Sequence, residues 1–177
     1  MKRTILAWLL FIATGLITTH VSAQNTENFR SLDVRFGRTG LPGDIFKLVG
    51  ERYMAPGVNL ALGAFLETSN RNNIHYDCYG LDAIAYYYTP VGDRTNNLFQ
   101  VRLGVGATAD YEQEKNLYHE LSTGQKINAG IVGELAGEWA FTDDFSLLLA
   151  YNQKYLFSKA LGTSRFDISI GCKLKLF

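Results

Sequence analysis

The sequence has few of the residues that catalytic and metal centres use. It contains 2 cysteines and 3 histidines in 177 residues, and one of those histidines precedes residue 24. The other two, His75 and His119, have no partner at metal-ligand spacing, and Cys78 and Cys172 are too far apart to form a zinc knuckle. No nucleophile elbow or phosphate-binding loop is present. We therefore expect no enzymatic activity, no cofactor and no small-molecule substrate.

An excess of charge is also missing. The chain has 17 Lys and Arg residues against 17 Asp and Glu residues, so its formal net charge is zero. This balance excludes the usual strongly basic nucleic-acid-binding domain, and we expect no direct contact with nucleic acid. Aromatic residues make up 13% of the chain, which excludes intrinsic disorder. The length suits one domain with a sizeable core.

Only one long apolar run occurs, and it is N-terminal. A basic start precedes an apolar stretch over 5–17, and small residues surround Ala23. This pattern predicts a signal peptide over 1–23, cleaved after Ala23, followed by a mature domain over 24–177. An N-terminal anchor helix is the alternative, but the run is short for a membrane span. A helical membrane protein is excluded, because no second run approaches spanning length.

The mature sequence alternates between apolar and polar residues. Over 98–111 the apolar set includes Phe99, Leu103 and Tyr111, while Arg102 lies in the other phase. Only a β-strand separates such sets onto two faces. A less regular stretch at 44–54 mixes the two phases. Further strands are predicted at 31–36, 58–67, 76–89, 127–141, 145–157 and 165–176.

Turn-forming residues divide this pattern into eight strands. The breaks lie at 39–43, 55–57, 69–73, 90–97, 112–126, 142–144 and 158–164. If the N-terminus is periplasmic, the second, fourth and sixth breaks are periplasmic turns and the others are outer loops, of which 112–126 is the longest. An even strand number with alternating turns and loops is typical of an outer-membrane barrel. We predict an all-β, eight-stranded, antiparallel up-and-down transmembrane β-barrel.

The distribution of the two residue sets favours a barrel in the bacterial outer membrane, with its lipid as partner. Small and charged residues share one face, as in the crowded interior of a narrow barrel, so the apolar face would contact lipid. A soluble lipocalin-like barrel, with its apolar face inside, is the alternative. The mid-strand charges are Arg35, Asp82, Arg102, Glu134, Lys154 and Asp167.

Aromatic residues collect near the predicted strand ends. Two aromatic girdles are typical of membrane barrels, although aromatic residues favour strands in any case. The predicted inner girdle contains Phe99, Trp139, Phe141, Phe145 and the run Tyr86-Tyr87-Tyr88, and the outer girdle contains Phe36, Tyr111, Tyr155, Phe157 and Phe166.

Symmetric turns would bring several lumen charges together. Arg102 falls near Glu134 and Glu138 on this register, Glu134 lies diagonal to Lys154, and Lys154 faces the region of Asp167. Such a chain of alternating charges would satisfy polar groups in a lumen too narrow for bulk water. A proton or ion relay is the functional alternative.

The two cysteines fall in opposite phases of their strands. Cys172 belongs to the lipid-facing set and Cys78 to the lumen-facing set, on strands four apart. Their sulfur atoms would point away from each other, so we predict two free thiols.

The longest predicted loop is a candidate partner-binding segment. It contains Tyr118, His119 and Glu120, and binding residues concentrate on such loops. An envelope enzyme active at the rim, using His119 with Glu112, Glu114 and Glu120, is a less favoured interpretation.

The chain resembles the TraO family of conjugative-transposon proteins, within the small porin-family outer-membrane barrels of Bacteroidetes-type bacteria. The matching segments are 31–37, 57–60, 103–107 with 110–112, 130–134 and 170–174. The resemblance spans roughly 29–177. It implies an accessory, non-enzymatic part in conjugative transfer, with other transfer proteins as partners and no catalytic residues.

The C-terminal end departs from the usual barrel pattern. Many outer-membrane barrels end with an aromatic residue in the lipid-facing phase, whereas Phe177 follows Leu176 and is out of phase. A general small outer-membrane barrel, serving envelope stability or binding a ligand or partner through its outer loops, is the alternative to the conjugative role.

Overall fold

A computed structural model describes residues 30–40, 43–55, 57–71, 74–90, 99–116, 122–157 and 164–176. The predicted signal peptide, its cleavage after Ala23, and Phe177 lie outside these residues and stay predictions. The described residues contain no helix long and apolar enough to cross a membrane.

Eight antiparallel strands form one closed sheet, in which each strand pairs with its neighbours in sequence and β8 pairs with β1. The predicted barrel fold is confirmed, and the irregular stretch at 44–54 does form a strand. The strands are β1 (Arg30–Thr39), β2 (Gly43–Ala55), β3 (Val58–Arg71), β4 (Ile74–Pro90), β5 (Phe99–Asn116), β6 (Ser122–Ala140), β7 (Phe145–Leu156) and β8 (Ser164–Leu176).

The barrel is apolar outside and charged inside. Leu62 and Val105 are each 69% exposed on the outer surface, whereas Arg102 is 0% exposed and Arg35 is 1% exposed in the lumen. This arrangement is the reverse of a soluble globular protein, in which large apolar side chains gather in the interior. It follows from the period-two pattern, because successive side chains point to opposite faces of a strand.

Glycines on the lumen face allow close packing inside the barrel. A Cβ atom at Gly80 would overlap the ring of Phe65, and one at Gly106 would overlap the carbonyl oxygen of Ala83. The space left by the missing side chain at Gly80 is therefore filled by an aromatic ring from β3. Large and small residues thus interlock across a lumen too narrow for two large side chains.

The strands differ in length at the rim where β1 ends and β2 begins, which is the outer end of the barrel if the N-terminus is periplasmic. β5 and β6 pair as far out as Lys115 with Ser122, whereas the outermost β6–β7 pair joins Gly130 to Leu156. The prediction that 112–126 is one long loop was therefore wrong. Regular cross-strand pairing continues through much of it, with an irregularity next to Lys115, because backbone hydrogen bonding between strands does not require apolar side chains.

Candidate functional site

The centre of the lumen holds two arginines among carboxylates. Arg35 donates to Asp33 at 2.7 Å and to Glu134 at 2.8 Å. Arg102 reaches the same two carboxylates, each at 3.2 Å, and also pairs with Glu51. All five side chains are fully or almost fully buried. Burial of charge is tolerated here because each guanidinium is held by several carboxylate oxygens.

A cluster of polar groups around Lys173 lies toward the inner end of the barrel, the end where β1 begins. Lys173 Nζ lies 3.0 Å from Glu51, 3.1 Å from Glu138 and 2.7 Å from the hydroxyl of Tyr88. A cavity of about 200 Å³ opens beside it and is lined by Ser31 as well as by these groups. Three partners match the three donors of an ammonium, so Lys173 is fully engaged.

Two further lysines cross the middle of the lumen. Lys47 Nζ donates to Asp167 at 2.9 Å, and the Lys154 ammonium lies 3.1 Å from Asp82. The same Lys154 ammonium lies 3.2 Å from the ring centroid of Phe65, in cation–π contact. These contacts join strands that are not neighbours in the sheet, and they fill the space between them.

The outer part of the lumen is held by Arg165. Its guanidinium donates to Glu112 at 2.7 Å and lies 3.8 Å from Asp110. Asn128 links the same two carboxylates, at 3.1 Å and 2.7 Å respectively. Glu112, which the sequence pattern assigns to an outer loop, is therefore a lumen residue on β5.

The predicted set of lumen charges is buried, but most of its members have other partners. Arg102 contacts Glu134, whereas Glu138 pairs with Lys173. Lys154 pairs with Asp82 and Asp167 with Lys47, so the prediction that neighbouring strands supply the partners was wrong for these residues. The backbone register does place Lys154 diagonal to both Glu134 and Asp167. In a narrow closed barrel, long side chains reach carboxylates across the lumen as easily as along the wall.

Sequence reasoning missed Glu51 and Lys173 as members of the network. Glu51 lies on β2, where buried Ile45 and Val49 share the lumen phase with charged residues. This mixture hid the inward face of the strand. Lys173 was visible as a lumen-phase residue of β8, but only barrel closure identifies its partners.

Outward-facing aromatic residues lie toward both ends of the strands. At the inner end Phe99 packs on Trp139, with ring centroids 4.7 Å apart. Trp139 and Phe141 are exposed, and toward the outer end Tyr111, Phe157 and Phe166 are exposed as well. Whether these residues act as girdles stays a prediction.

Two residues of the predicted inner girdle lie inside the barrel instead. Tyr86 is 1% exposed and stacks under the Arg102 guanidinium, which lies 4.6 Å from its ring centroid. The hydroxyl of Tyr88 donates to Glu51 at 2.6 Å in the lumen. The alternation of β4 explains this, because only Tyr87 of the three consecutive tyrosines shares the outward phase of Leu81.

Both cysteines are free, as predicted, with Cys78 buried and Cys172 exposed. The candidate partner residues Tyr118, His119 and Glu120 lie outside the described residues. Within the described part of the chain, no group of three or more His, Cys, Asp or Glu residues is placed to hold a metal ion.

Comparison with known proteins identifies the fold of the chain from solved structures. No family model and no curated protein sequence matches the chain. The crystal structure of Neisserial surface protein A matches with a TM-score of 0.66 at 12% identity, covering 85% of this chain and 98% of that chain. The chain has the fold of small outer-membrane β-barrels.

Two further barrels support this assignment of the fold. A major outer membrane protein from Thermus thermophilus matches with a TM-score of 0.65 at 11% identity, covering 84% of this chain and 99% of that chain. Ail, the attachment invasion locus protein of Yersinia pestis, matches with a TM-score of 0.58 at 10% identity, covering 85% of this chain and 100% of that chain.

Proposed function

We propose that this chain is a non-enzymatic outer-membrane barrel, with a structural lumen and an outer end that binds a partner. The observation that carries the proposal is the reversed distribution of polarity. Leu62, Val105 and Ile170 are more than half exposed, while arginines and glutamates are enclosed. Only a hydrocarbon surrounding makes that arrangement favourable, since exposed apolar surface costs free energy in water.

The contacts inside the barrel support a structural role for the lumen. Arg35, Arg102 and Lys173 each bind two or more acceptors, and these acceptors come from different strands. These charged hydrogen bonds connect different strands across the lumen and so stabilise the barrel. A proton relay would instead need groups free to exchange partners, whereas these cations are held from several sides.

The uneven outer ends support a role in partner binding. β5 and β6 extend past the last residues that β6 and β7 pair, and β4 pairs with β5 as far out as Ile74–Asn116. The β3–β4 and β5–β6 hairpins therefore project together beyond β7. The predicted partner segment with Tyr118, His119 and Glu120 connects β5 and β6. Ail of Yersinia pestis, which shares the fold, is named as an attachment invasion locus protein, so a barrel of this size can present a binding surface.

Cell fractionation with heat-dependent gel migration tests the membrane location. We expect the chain in the outer-membrane fraction, with the unheated sample migrating faster than the boiled one. A chain lacking residues 1–23 is the control and should not reach that fraction. A soluble periplasmic product with a single migration position would refute the proposal and favour a secreted carrier.

Epitope insertion tests which end faces outward. A tag placed within 117–121, between β5 and β6, should be detected by antibody on intact cells. The same tag within 91–98, between β4 and β5, is the matched control and should be detected only after the membrane is permeabilised. The opposite pattern would place the projecting hairpin in the periplasm and exclude binding at the cell surface.

The finer proposal of an accessory role in conjugative transfer is supported by the TraO-like segments, such as 31–37 and 170–174. Deletion in a donor strain should lower mating frequency, and the wild-type chain supplied in trans should restore it. Unchanged mating would remove the conjugative role and leave the general barrel.

A further inference from the structure

The cavity of about 200 Å³ beside Lys173 lies at the inner end of the lumen, and its lining residues come from every strand except β7. Three of them, Glu51, Tyr88 and Lys173, are hydrogen-bonded to one another and belong to the lumen network. Lys175 follows Lys173 in the lumen phase of β8, so it lies one step closer to the mouth. The cavity therefore connects the charge network with the inner mouth of the barrel.

Several polar groups in the cavity wall have unused hydrogen-bonding capacity. The side chains of Ser31, Gln100 and Lys175 line the cavity and make no hydrogen bond or ion pair with any residue that the structure describes. Glu138 accepts from Lys173 through one carboxylate oxygen, and its other oxygen has no hydrogen bond to a described residue. Ser31 is 7% exposed and Glu138 is 4% exposed. Because buried polar groups are normally satisfied in proteins, these groups are available to a ligand.

The available groups form two pairs of opposite character. Ser31 pairs with Lys175 in the β1–β8 ladder, which places a hydroxyl beside an ammonium. Gln100 pairs with Glu138 in the β5–β6 ladder, which places an amide beside the available carboxylate oxygen. Glu138 already pairs with Lys173, whereas no described carboxylate pairs with Lys175. The first pair therefore suits an anion, and the second suits a hydrogen-bond donor.

The last residue of a peptide carries both of the groups that the cavity wall matches. Its carboxylate accepts from an ammonium and a hydroxyl, and its backbone N–H donates to a carboxylate oxygen. Capture of a C-terminal carboxylate is a recurring mode of peptide recognition. A phosphate monoester fits less well, because its charge of up to about two would be repelled by Glu138.

We propose that this cavity binds the C-terminal residue of a short periplasmic peptide, with its carboxylate at Lys175 and Ser31 and its N–H at Glu138. Arg30 also lines the cavity and adds a second cation at the mouth. The periplasmic source of the peptide rests on the proposed orientation of the barrel, whereas the binding itself does not.

Titration of a peptide acid into the mature chain in lipid nanodiscs tests the inference. The probe is N-acetyl-dialanine with a free carboxylate, followed by NMR of the isotope-labelled barrel, and the same peptide with a C-terminal amide is the control ligand. Lys175→Gln removes the ammonium. Arg52→Gln is the matched control, because Arg52 is exposed at the same end but does not line the cavity. Heat-dependent gel migration first shows that each variant folds, which separates failure of this inference from failure of the barrel assignment.

We expect wild type to bind the acid about tenfold more tightly than the amide, and Lys175→Gln to weaken binding of the acid about tenfold, because a charge-assisted hydrogen bond is lost in each case. Arg52→Gln should bind as wild type does, and the resonances of Ser31 and Gln100 should shift on binding. The inference fails if no binding saturates, if acid and amide bind alike, or if both variants bind equally weakly.

Carboxylates of the chain itself, at Glu27, at Asp93 and at the C-terminus after Phe177, are the competing occupants, because their segments adjoin the inner ends of the strands in sequence. Glu27→Gln, Asp93→Asn and an extension of two glycines past Phe177 remove or displace them one at a time. Binding that appears only after one of these changes would show that the chain fills its own cavity, and this result would also overturn the inference.

Discussion

Arg35 on β1 donates to Glu134 on β6 at 2.8 Å, although the two residues are 99 positions apart and their strands are not neighbours. The contact crosses the lumen. Glu134 also accepts from Arg102 on β5, so one carboxylate joins three strands. Side-chain hydrogen bonds of this kind connect strands across the lumen, in addition to the backbone hydrogen bonds between neighbouring strands.

Removal of a central arginine should destabilise the barrel strongly. Arg102→Ala removes a positive charge that pairs with the buried carboxylates of Asp33, Glu51 and Glu134. We expect a loss of about 3–5 kcal/mol in the free energy of unfolding, measured by denaturant titration in lipid vesicles.

Arg38→Ala is the control. Arg38 pairs with Asp44 on the surface, with side-chain exposures of 77% and 48%, so its loss should cost less than about 1 kcal/mol. Equal effects would argue against the network as a stabilising element.

Added volume on the lumen face should also be costly. A Cβ at Gly106 would overlap the Ala83 carbonyl oxygen, and backbone cannot move aside easily. We expect Gly106→Ala to destabilise the barrel by about 1–3 kcal/mol in the same titration. At Gly133 the nearest atom, the carbonyl oxygen of Gly104, would be 3.9 Å from a Cβ. Gly133→Ala should therefore leave stability nearly unchanged, and a similar cost at both positions would contradict the packing argument.

A charge on the outer face tests whether that face contacts lipid. Leu62 lies near the middle of β3 and is 69% exposed. We expect Leu62→Arg to cost about 2–4 kcal/mol in vesicles, because arginine is expensive near the bilayer midplane. Ile127→Arg is the control, since Ile127 lies beyond the last pair of β6 with β7. A soluble barrel would tolerate the exposed arginine at both positions.

The two thiols should respond differently to labelling reagents. Cys78 is 2% exposed in the lumen and Cys172 faces outward. In vesicles we expect a bulky water-soluble maleimide to label neither thiol, because one is enclosed and the other faces lipid. Denaturation should make both react, as counted by mass spectrometry. Rapid labelling of Cys172 in the folded protein would place that face in water.

Much of the wall of the barrel could be predicted from alternation alone. The phases of β5 and β8 place Arg102 and Asp167 inside and Leu103 and Ile170 outside, as the structure has them. The same rule applied strictly to β4 would have turned Tyr86 inward. The phase of a strand therefore decides which way an aromatic side chain points, even within a run of aromatic residues.

The outer end was harder to predict. Glycine and charged residues over 112–126 are typical of loops, yet β5 and β6 continue through most of that stretch. A hairpin outside the membrane needs no apolar face, because water satisfies both of its sides. Composition therefore does not separate projecting strand from loop in this region.

The amino-acid sequence by itself determined that the chain forms strands and which side of each strand is charged, because side-chain direction in a strand follows residue parity. Only the tertiary structure decided which charges meet. Closing eight staggered strands into a ring brings β1 within reach of β6 and β2 within reach of β8, at heights set by the stagger of every intervening pair. The staggers of the successive strand pairs add up around the ring, and no single segment of the sequence reveals their total. Partners such as Lys47 and Asp167 therefore become apparent only once the barrel is closed.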